Sequence, residues 1–503
     1  MIEPLGNRTG LLVALFSGYT LAVLGGYWDA EWHTILGRDN WIVAPHLAMY
    51  VGVSAAGTTL VAWAAGAMFR LGPSVALRHA PLCLAVAGAG LTLSAAPVDN
   101  LWHLAFSRDT VIWSPPHLVG VVGVLGLTAG VLLELSRTPG RRGRVLTTLA
   151  GAGLLAALSS TLVMEYETDV PQFAALWYLP VVALSSSFVF ALILRVAAFE
   201  WAAASAAAAH MVLMIGVSVT LVALDYGAPL VPLLVVPAAV LDVGRRAGWS
   251  RPRCAAAFTL VLYAVYVPYL GLARTGLELD LETVAAGLPI AAVASWLGLM
   301  MLPGAPGRAR RAPRRVTAPS AATLALVLLV LVPALALAHD PGQGDEIGKA
   351  RMVATVSDER ATVVSQVLPP ADCSDLAARR LTARRAGVER HAPLRKTGPC
   401  RFEGAIALPQ RGRWFVYAEL RDASRPEERP ESWLLVRSGV GERRFAEARR
   451  SLYLPNRSPS TTAKSISSVA MYLIVAALVG GVVVLFRRQP PARLPAPAGG
   501  EGA

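Results

Sequence analysis

Long, nearly uninterrupted apolar runs dominate this chain. A run of roughly 20 apolar residues is long enough to cross a bilayer as a helix. About twelve such runs can be counted, near 10–28, 42–69, 80–98, 115–135, 145–164, 173–194, 203–224, 228–243, 254–273, 282–302, 320–338 and 468–486. Backbone surrounded by lipid must satisfy its own hydrogen bonds, so each run is expected to be a helix. The fold class that follows is an all-α polytopic membrane protein with about twelve transmembrane helices. Of the 503 residues, 54% are hydrophobic and only 16% are charged, where an ordinary soluble domain has about 25% charged residues. That balance excludes a soluble enzyme and a disordered chain. The N-terminal MIEPLGNRTG carries an acid and no evident cleavage site, so the first run reads as an uncleaved span.

The loops sort by charge. Segments 136–144 (SRTPGRRGR), 244–253 (GRRAGWSRPR) and 308–315 (RARRAPRR), with Arg487 and Arg488, are strongly basic, and Arg70 and Arg78 mark a weaker basic loop. The alternating loops are acidic or mixed, with Glu165, Glu167 and Asp169 in one and Glu278, Asp280 and Glu282 in another. Basic loops stay cytoplasmic, which predicts a multi-pass protein of the cell membrane with both termini in the cytoplasm. The net charge of +13 is thereby a matter of topology. Lipid is the expected partner, nucleic acid is not, and an oligomer is open.

The polar stretch 339–466 then lies outside the cytoplasm. Its Cys373 and Cys400 are placed where a disulfide forms. Runs such as MVATVS, GAIALP, RWFVYAEL and SWLLVR between Pro and Gly breaks predict a β-sandwich-like domain. The domain order is a four-helix unit (1–135), further helices (136–319), a transmembrane or signal-like span (320–338), the extracytoplasmic β domain (339–466), a C-terminal helix (467–488) and a disordered Pro/Ala/Gly-rich tail (489–503).

Within the first unit the sequence repeats itself. YWDAEWHTILGRDNWIVAPHLAMYVGV begins at Tyr27, and PVDNLWHLAFSRDTVIWSPPHLVGVVGV begins at Pro97. Both read Asp-x-x-Trp-His, four residues, Arg-Asp, then Pro-His-Leu, at the outer end of a span pair. Asp29 and His33 are four apart and share one helix face, as do Asp99 and His103. His46 and His117 open the following helix. Each unit offers one carboxylate and two imidazoles, a set that suits Cu(II), Zn(II) or Fe(II) and leaves a coordination position open. Ionisable groups at membrane depth cost about 2.5–3.5 kcal/mol each on insertion scales and usually have a use. The plainer alternative is an aromatic belt of Trp28, Trp32, Trp41, Trp102 and Trp113, with His and Asp reaching water. Arg38 and Asp39, with Arg108 and Asp109, are expected to fix the loops as ion pairs.

The spacing resembles the C subunit of the copper membrane monooxygenases, the particulate methane and ammonia monooxygenases. Asp29-x3-His33-x12-His46 matches one of that subunit's copper sites in type and spacing. Asp99-x3-His103-x13-His117 matches the other in spacing, with Asp where the family has Asn. The resemblance covers residues 25–125 and implies copper, dioxygen activation against a small apolar substrate, and further subunits or a redox partner. LVLVPALALAHDPGQGDE, around His339, carries a weaker echo of a copper-binding domain that begins with His after cleavage, here following Ala338. Spans 5–10 have no counterpart in that subunit, and the further histidines of the copper-binding domain are missing. Zinc in place of copper, a role in copper uptake, storage or delivery, and a purely structural anchor for the β domain are the competing readings. His210, mid-span in AAAAHMVLMIG, is read as a packing residue, and the Glu165–Asp169 loop as solvated.

Overall fold

The computed structural model describes residues 4–36, 42–106, 112–168, 170–273, 277, 279–302, 345–369, 371, 373–422, 429–439, 444–454 and 462–492, except the side chains of His103, Leu104 and Asp345. The helices are α1 (Thr9–Leu36), α2 (Ala44–Leu71), α3 (Pro73–Leu77), α4 (Ala80–Phe106), α5 (Pro115–Leu135), α6 (Gly140–Leu155), α7 (Thr161–Glu167), α8 (Tyr178–Val196), α9 (Ala202–Ala223), α10 (Val235–Arg246), α11 (Arg251–Ala273), α12 (Leu281–Gly298) and α13 (Thr462–Arg488). A π-helical turn, Ala156–Ser160, joins α6 to α7. Among the described residues, ten helical segments are long and apolar enough to cross a membrane. The chain is thus a multi-pass membrane protein. Exposed apolar side chains such as Val61, Val212, Val219 and Leu473 suit contact with lipid.

The count differs from twelve at two places. The run 320–338 lies outside the described residues. The run 228–243 is not one helix: residues 225–234 have no helical structure, and α10 has only 12 residues. Pro229 and Pro232 account for this, because each lacks a donor and disfavours helix in the residue before it. The segment still returns the chain to the end where α9 began. The Asp242 carboxylate accepts from the backbone N–H groups of Ala203 and Ala204 at 3.3 and 2.9 Å.

α1 and α2 form an antiparallel hairpin, and α4 and α5 form another. Each crosses at a pair of glycines. A Cβ at Gly18 would fall 2.6 Å from Gly52 O, and one at Gly52 would fall 2.5 Å from Ala22 N. In the second hairpin a Cβ at Gly88 would meet Leu127 N and Gly123 O, and one at Gly123 would fall 2.7 Å from Thr92 N. Gly18 and Gly88 hold equivalent places before Asp29 and Asp99, and Gly52 and Gly123 hold equivalent places after His46 and His117. The repeat therefore reaches down to the helix crossing. Small residues let backbones approach this closely. Gly52→Ala is expected to cost about 1–3 kcal/mol through overpacking, read as a lowered thermal midpoint in detergent. Gly90→Ala, with nothing within 4 Å of its added Cβ, should be neutral or slightly stabilising in the same experiment.

The polar stretch forms eight antiparallel strands: β1 (Asp345–Ser357), β2 (Arg360–Leu368), β3 (Leu376–Arg385), β4 (Val388–Gly398), β5 (Arg401–Ala407), β6 (Gly412–Asp422), β7 (Glu431–Ser438) and β8 (Arg444–Leu454). They close in the order β1-β2-β5-β4-β3-β6-β7-β8, a barrel where a β-sandwich was expected. The β1–β8 seam is long, from Asp345↔Leu454 to Val356↔Arg444, whereas among the described residues β7 and β8 meet at Glu431↔Tyr453. Trp414, Val416, Ala418 and Leu420 alternate inward from β6 to the barrel core. Cys373 and Cys400 form a disulfide.

The outer face of the barrel rests on the helices. Val170, fully buried, packs with Phe415, Tyr417, Trp433 and Tyr453, and Ala386 N–H donates to Pro171 O at 2.6 Å. The Arg450 guanidinium stacks 4.1 Å from the Trp433 ring and donates to Ile35 O at 2.7 Å. It thereby satisfies a terminal carbonyl of α1 with a cation, where the helix dipole favours one. At the opposite end of the bundle, Arg195 donates to Phe486 O, Arg487 O, Gln489 O and Met301 O.

Candidate metal centre

The last two turns of α1 carry Asp29 and His33 on one face, four residues apart. α2 opens after Val43 with Pro45 in its first turn, a position where the missing N–H costs nothing. His46 follows at once and faces α1. Nε2 of His46 lies 2.9 Å from Asp29 Oδ1, and Nε2 of His33 lies 3.5 Å from the same oxygen. The two rings sit 5.8 Å apart, edge to face. One donor atom from each residue lies within 4.8 Å of the others.

The two separations from Asp29 Oδ1, 2.9 and 3.5 Å, bracket the spacing that one ion requires. Ligand atoms at about 2.0–2.1 Å from a common centre in tetrahedral geometry stand roughly 3.3 Å apart. Both imidazoles turn Nε2 inward, and the carboxylate supplies one anionic oxygen. All three side chains are largely buried, with 8, 12 and 16% exposure for His33, His46 and Asp29. Three protein ligands leave a further position for a small molecule.

The second unit is built alike in part. Asp99 on α4 and His117 in the first turn of α5 pair at 3.3 Å through Asp99 Oδ1 and His117 Nε2. Ser114 Oγ lies 2.9 Å from His117 Nδ1 and so fixes which nitrogen faces the carboxylate, the orienting role of a second-layer partner. The corresponding residue before α2 is Val43, which offers no such group. The two units are therefore not equivalent around their second histidine. The His103 side chain, Arg38, Asp39, Arg108, Asp109 and His339 lie outside the described residues.

Two polar residues near the site, Glu31 and Tyr27, are not singled out by the sequence. Glu31 is only 2% exposed and sits on the opposite face of α1, where a Cβ at Gly227 would fall 2.6 Å from its Oε2. Glu165 and Glu167 of the acidic loop are half-buried rather than freely solvated, and Asp169 lies outside the described residues. Glu165 Oε1 accepts from Ile112 N–H at 3.0 Å, and Glu167 accepts from Tyr178 Oη at 2.9 Å. His210 is buried as expected, with Ser160 Oγ 2.8 Å from its Nε2. The signal for Glu31 and Tyr27 was their four-residue spacing on one face of α1.

Comparison with protein-family models, with characterised proteins and with solved structures finds no match to this chain. The functional reading therefore rests on the geometry.

Proposed function

We propose that this chain is a copper-binding integral membrane protein, a component of a copper membrane monooxygenase-like system, with Asp29, His33 and His46 as the copper site. The observation that carries the reading is the convergence of one carboxylate oxygen and two imidazole nitrogens within 4.8 Å. Asp99, His103 and His117 are the second set. Imidazole with carboxylate suits copper and zinc alike; the copper assignment rests on the resemblance in spacing. The barrel lies outside the cytoplasm in this reading, since the basic segments among the described residues gather at the other end of the bundle and the disulfide fits an oxidising compartment.

When bound, copper supplies the redox chemistry that dioxygen activation requires. The protein's part is positioning. Asp29 contributes the single negative charge and accepts the geometry that α1 dictates. His33 and His46 are held from two helices whose separation the Gly18/Gly52 crossing fixes. An apolar cavity of about 310 Å³ lies beside the second unit, lined by Trp113, Phe188, Leu184, Ile290 and Leu297 among others. Its size and wall chemistry suit a small apolar substrate.

Two measurements on the full chain in detergent test this. The copper-loaded protein should show an electron paramagnetic resonance spectrum with coupling to imidazole nitrogen, altered in His33→Ala/His46→Ala. Supplied with a quinol and a short alkane, the wild type should consume dioxygen and form an alcohol, and that double variant should not. Copper binding without dioxygen consumption would move the reading to copper uptake, storage or delivery. No copper signal at all would leave the structural anchor.

A further inference from the structure

The back of α1 faces a second polar cluster, separate from the candidate metal ligands. Tyr27 Oη lies 3.3 Å from Ser160 O and 3.2 Å from Glu167 Oε2. Tyr178 Oη donates to the other Glu167 oxygen, and Ser160 Oγ reaches His210 Nε2. With Tyr266 these groups line a cavity of about 10 Å³, room for one water. His210 is 1% exposed, and its Nδ1 has no hydrogen-bond partner among the described residues. A buried imidazole nitrogen in that condition calls for a water.

Two backbone irregularities converge on this cavity. The π-helical turn Ala156–Ser160 presents the Ser160 carbonyl to Tyr27; such turns are frequent at functional sites. The non-helical stretch before α10 lines the opposite wall through Leu230, Pro232 and Leu234. Non-helical backbone at membrane depth is tolerated where it is buried in protein or borders a cavity.

Hydrogen counting then gives the cluster two states. Tyr27 has one hydroxyl hydrogen and two acceptors within reach. If it donates to Ser160 O, the contact between Tyr27 Oη and Glu167 Oε2 is a hydrogen bond only when Glu167 carries a proton. If it donates to Glu167, the carboxylate is fully served by two phenols and needs none. The only other titratable groups lining the cavity are the phenols of Tyr27 (α1), Tyr178 (α8) and Tyr266 (α11), with no Lys or Arg among the lining residues.

We propose that Glu167, half-buried, and His210, fully buried, form a proton-transfer pair that exchanges one proton through a water held in this cavity. An O–H bond on the Glu167 carboxyl breaks and an N–H bond forms on His210 Nδ1, with the water passing the proton. Neutral acid and neutral imidazole become carboxylate and imidazolium, so charge is conserved and no oxidant or reductant takes part. The pair needs no metal at Asp29.

Infrared difference spectroscopy on the full chain in lipid nanodiscs, comparing acidic and alkaline buffers in H₂O and D₂O, tests this. A carboxylic-acid C=O band is expected that shifts in D₂O, vanishes in Glu167→Gln, and changes its pH midpoint by about one unit or more in His210→Asn. A Glu167 band indifferent to D₂O and to His210, or no such band at any pH, overturns the proposal. So does a band abolished by sodium at constant pH, which would make the cavity a cation site. Should Glu167→Gln fail to fold, Ser160→Ala and Tyr178→Phe keep both titrating groups and must each shift the band; if either leaves it unmoved, the proposal is overturned.

Discussion

Replacing Glu419 with alanine is expected to destabilise the barrel by about 3 kcal/mol, the lower end of the cost of breaking a buried ion pair. Glu419 lies on the outer face of β6 with its side chain only 2% exposed. Arg379 and Arg380 donate to Oε2 at 2.5 and 2.9 Å, and Thr382 donates to Oε1 at 2.6 Å. Alanine would leave two guanidinium groups facing a void, though both still reach solvent, which is why the lower end applies. Burial alone would raise the Glu419 carboxyl. Hydrogen bonds from Arg380 and Thr382 and the charges of both arginines outweigh it and hold the group below the usual carboxylate range. Its folded value is thus below the unfolded value of about 4.3. The contribution is complete above the unfolded value and is lost as pH falls through the folded one. Hydrogen exchange at β3 and β6 amides of the full chain should therefore quicken as pH falls below about 4, after correction for intrinsic exchange. Unchanged protection in Glu419→Ala would contradict this account of the outer face.

Removing the disulfide should cost about as much. Cys373 and Cys400 are 27 residues apart, and closing a loop of that length in the unfolded chain is worth about 3.5 kcal/mol in the chain-entropy model. The bridge ties the approach to β3 to the β4–β5 turn. Val367 N–H also donates to Cys400 O at 2.9 Å there, and Lys396 Nζ to Leu376 O at 2.8 Å. Cys373→Ser/Cys400→Ser should make the barrel susceptible to protease at temperatures where the wild type resists, and reductant should do the same to the wild type. Equal resistance with and without the bridge would show that the closed sheet suffices.

The helical part was legible because lipid enforces one solution per apolar run. Where Pro229 and Pro232 interrupt the run, apolarity persists while helix does not, and hydropathy cannot see the difference. The barrel was legible only where apolar residues cluster. β3 (LAARRLTARR), β4 (VERHAPLRKTG) and β8 (RFAEARRSLYL) hide their inward alternation behind arginines that pair on the outer face. Closure itself depends on β1 meeting β8 across the whole domain, which local pattern does not encode. At the candidate site, Asp29 and His33 were legible from helical spacing. Placing His46 beside them needed the hairpin, whose crossing glycines repeat with the motif. Glu167 looked like a loop acid because one partner, Tyr27, lies 140 residues away in the chain and the other, Tyr178, reaches it only after the chain turns into the next helix.

The most direct test of the central claim is metal content by mass spectrometry. The full chain would be purified in mild detergent beside His33→Ala/His46→Ala and His103→Ala/His117→Ala. The account predicts about two coppers per chain, with one lost in each variant. No metal in any sample, even after copper loading, would contradict it.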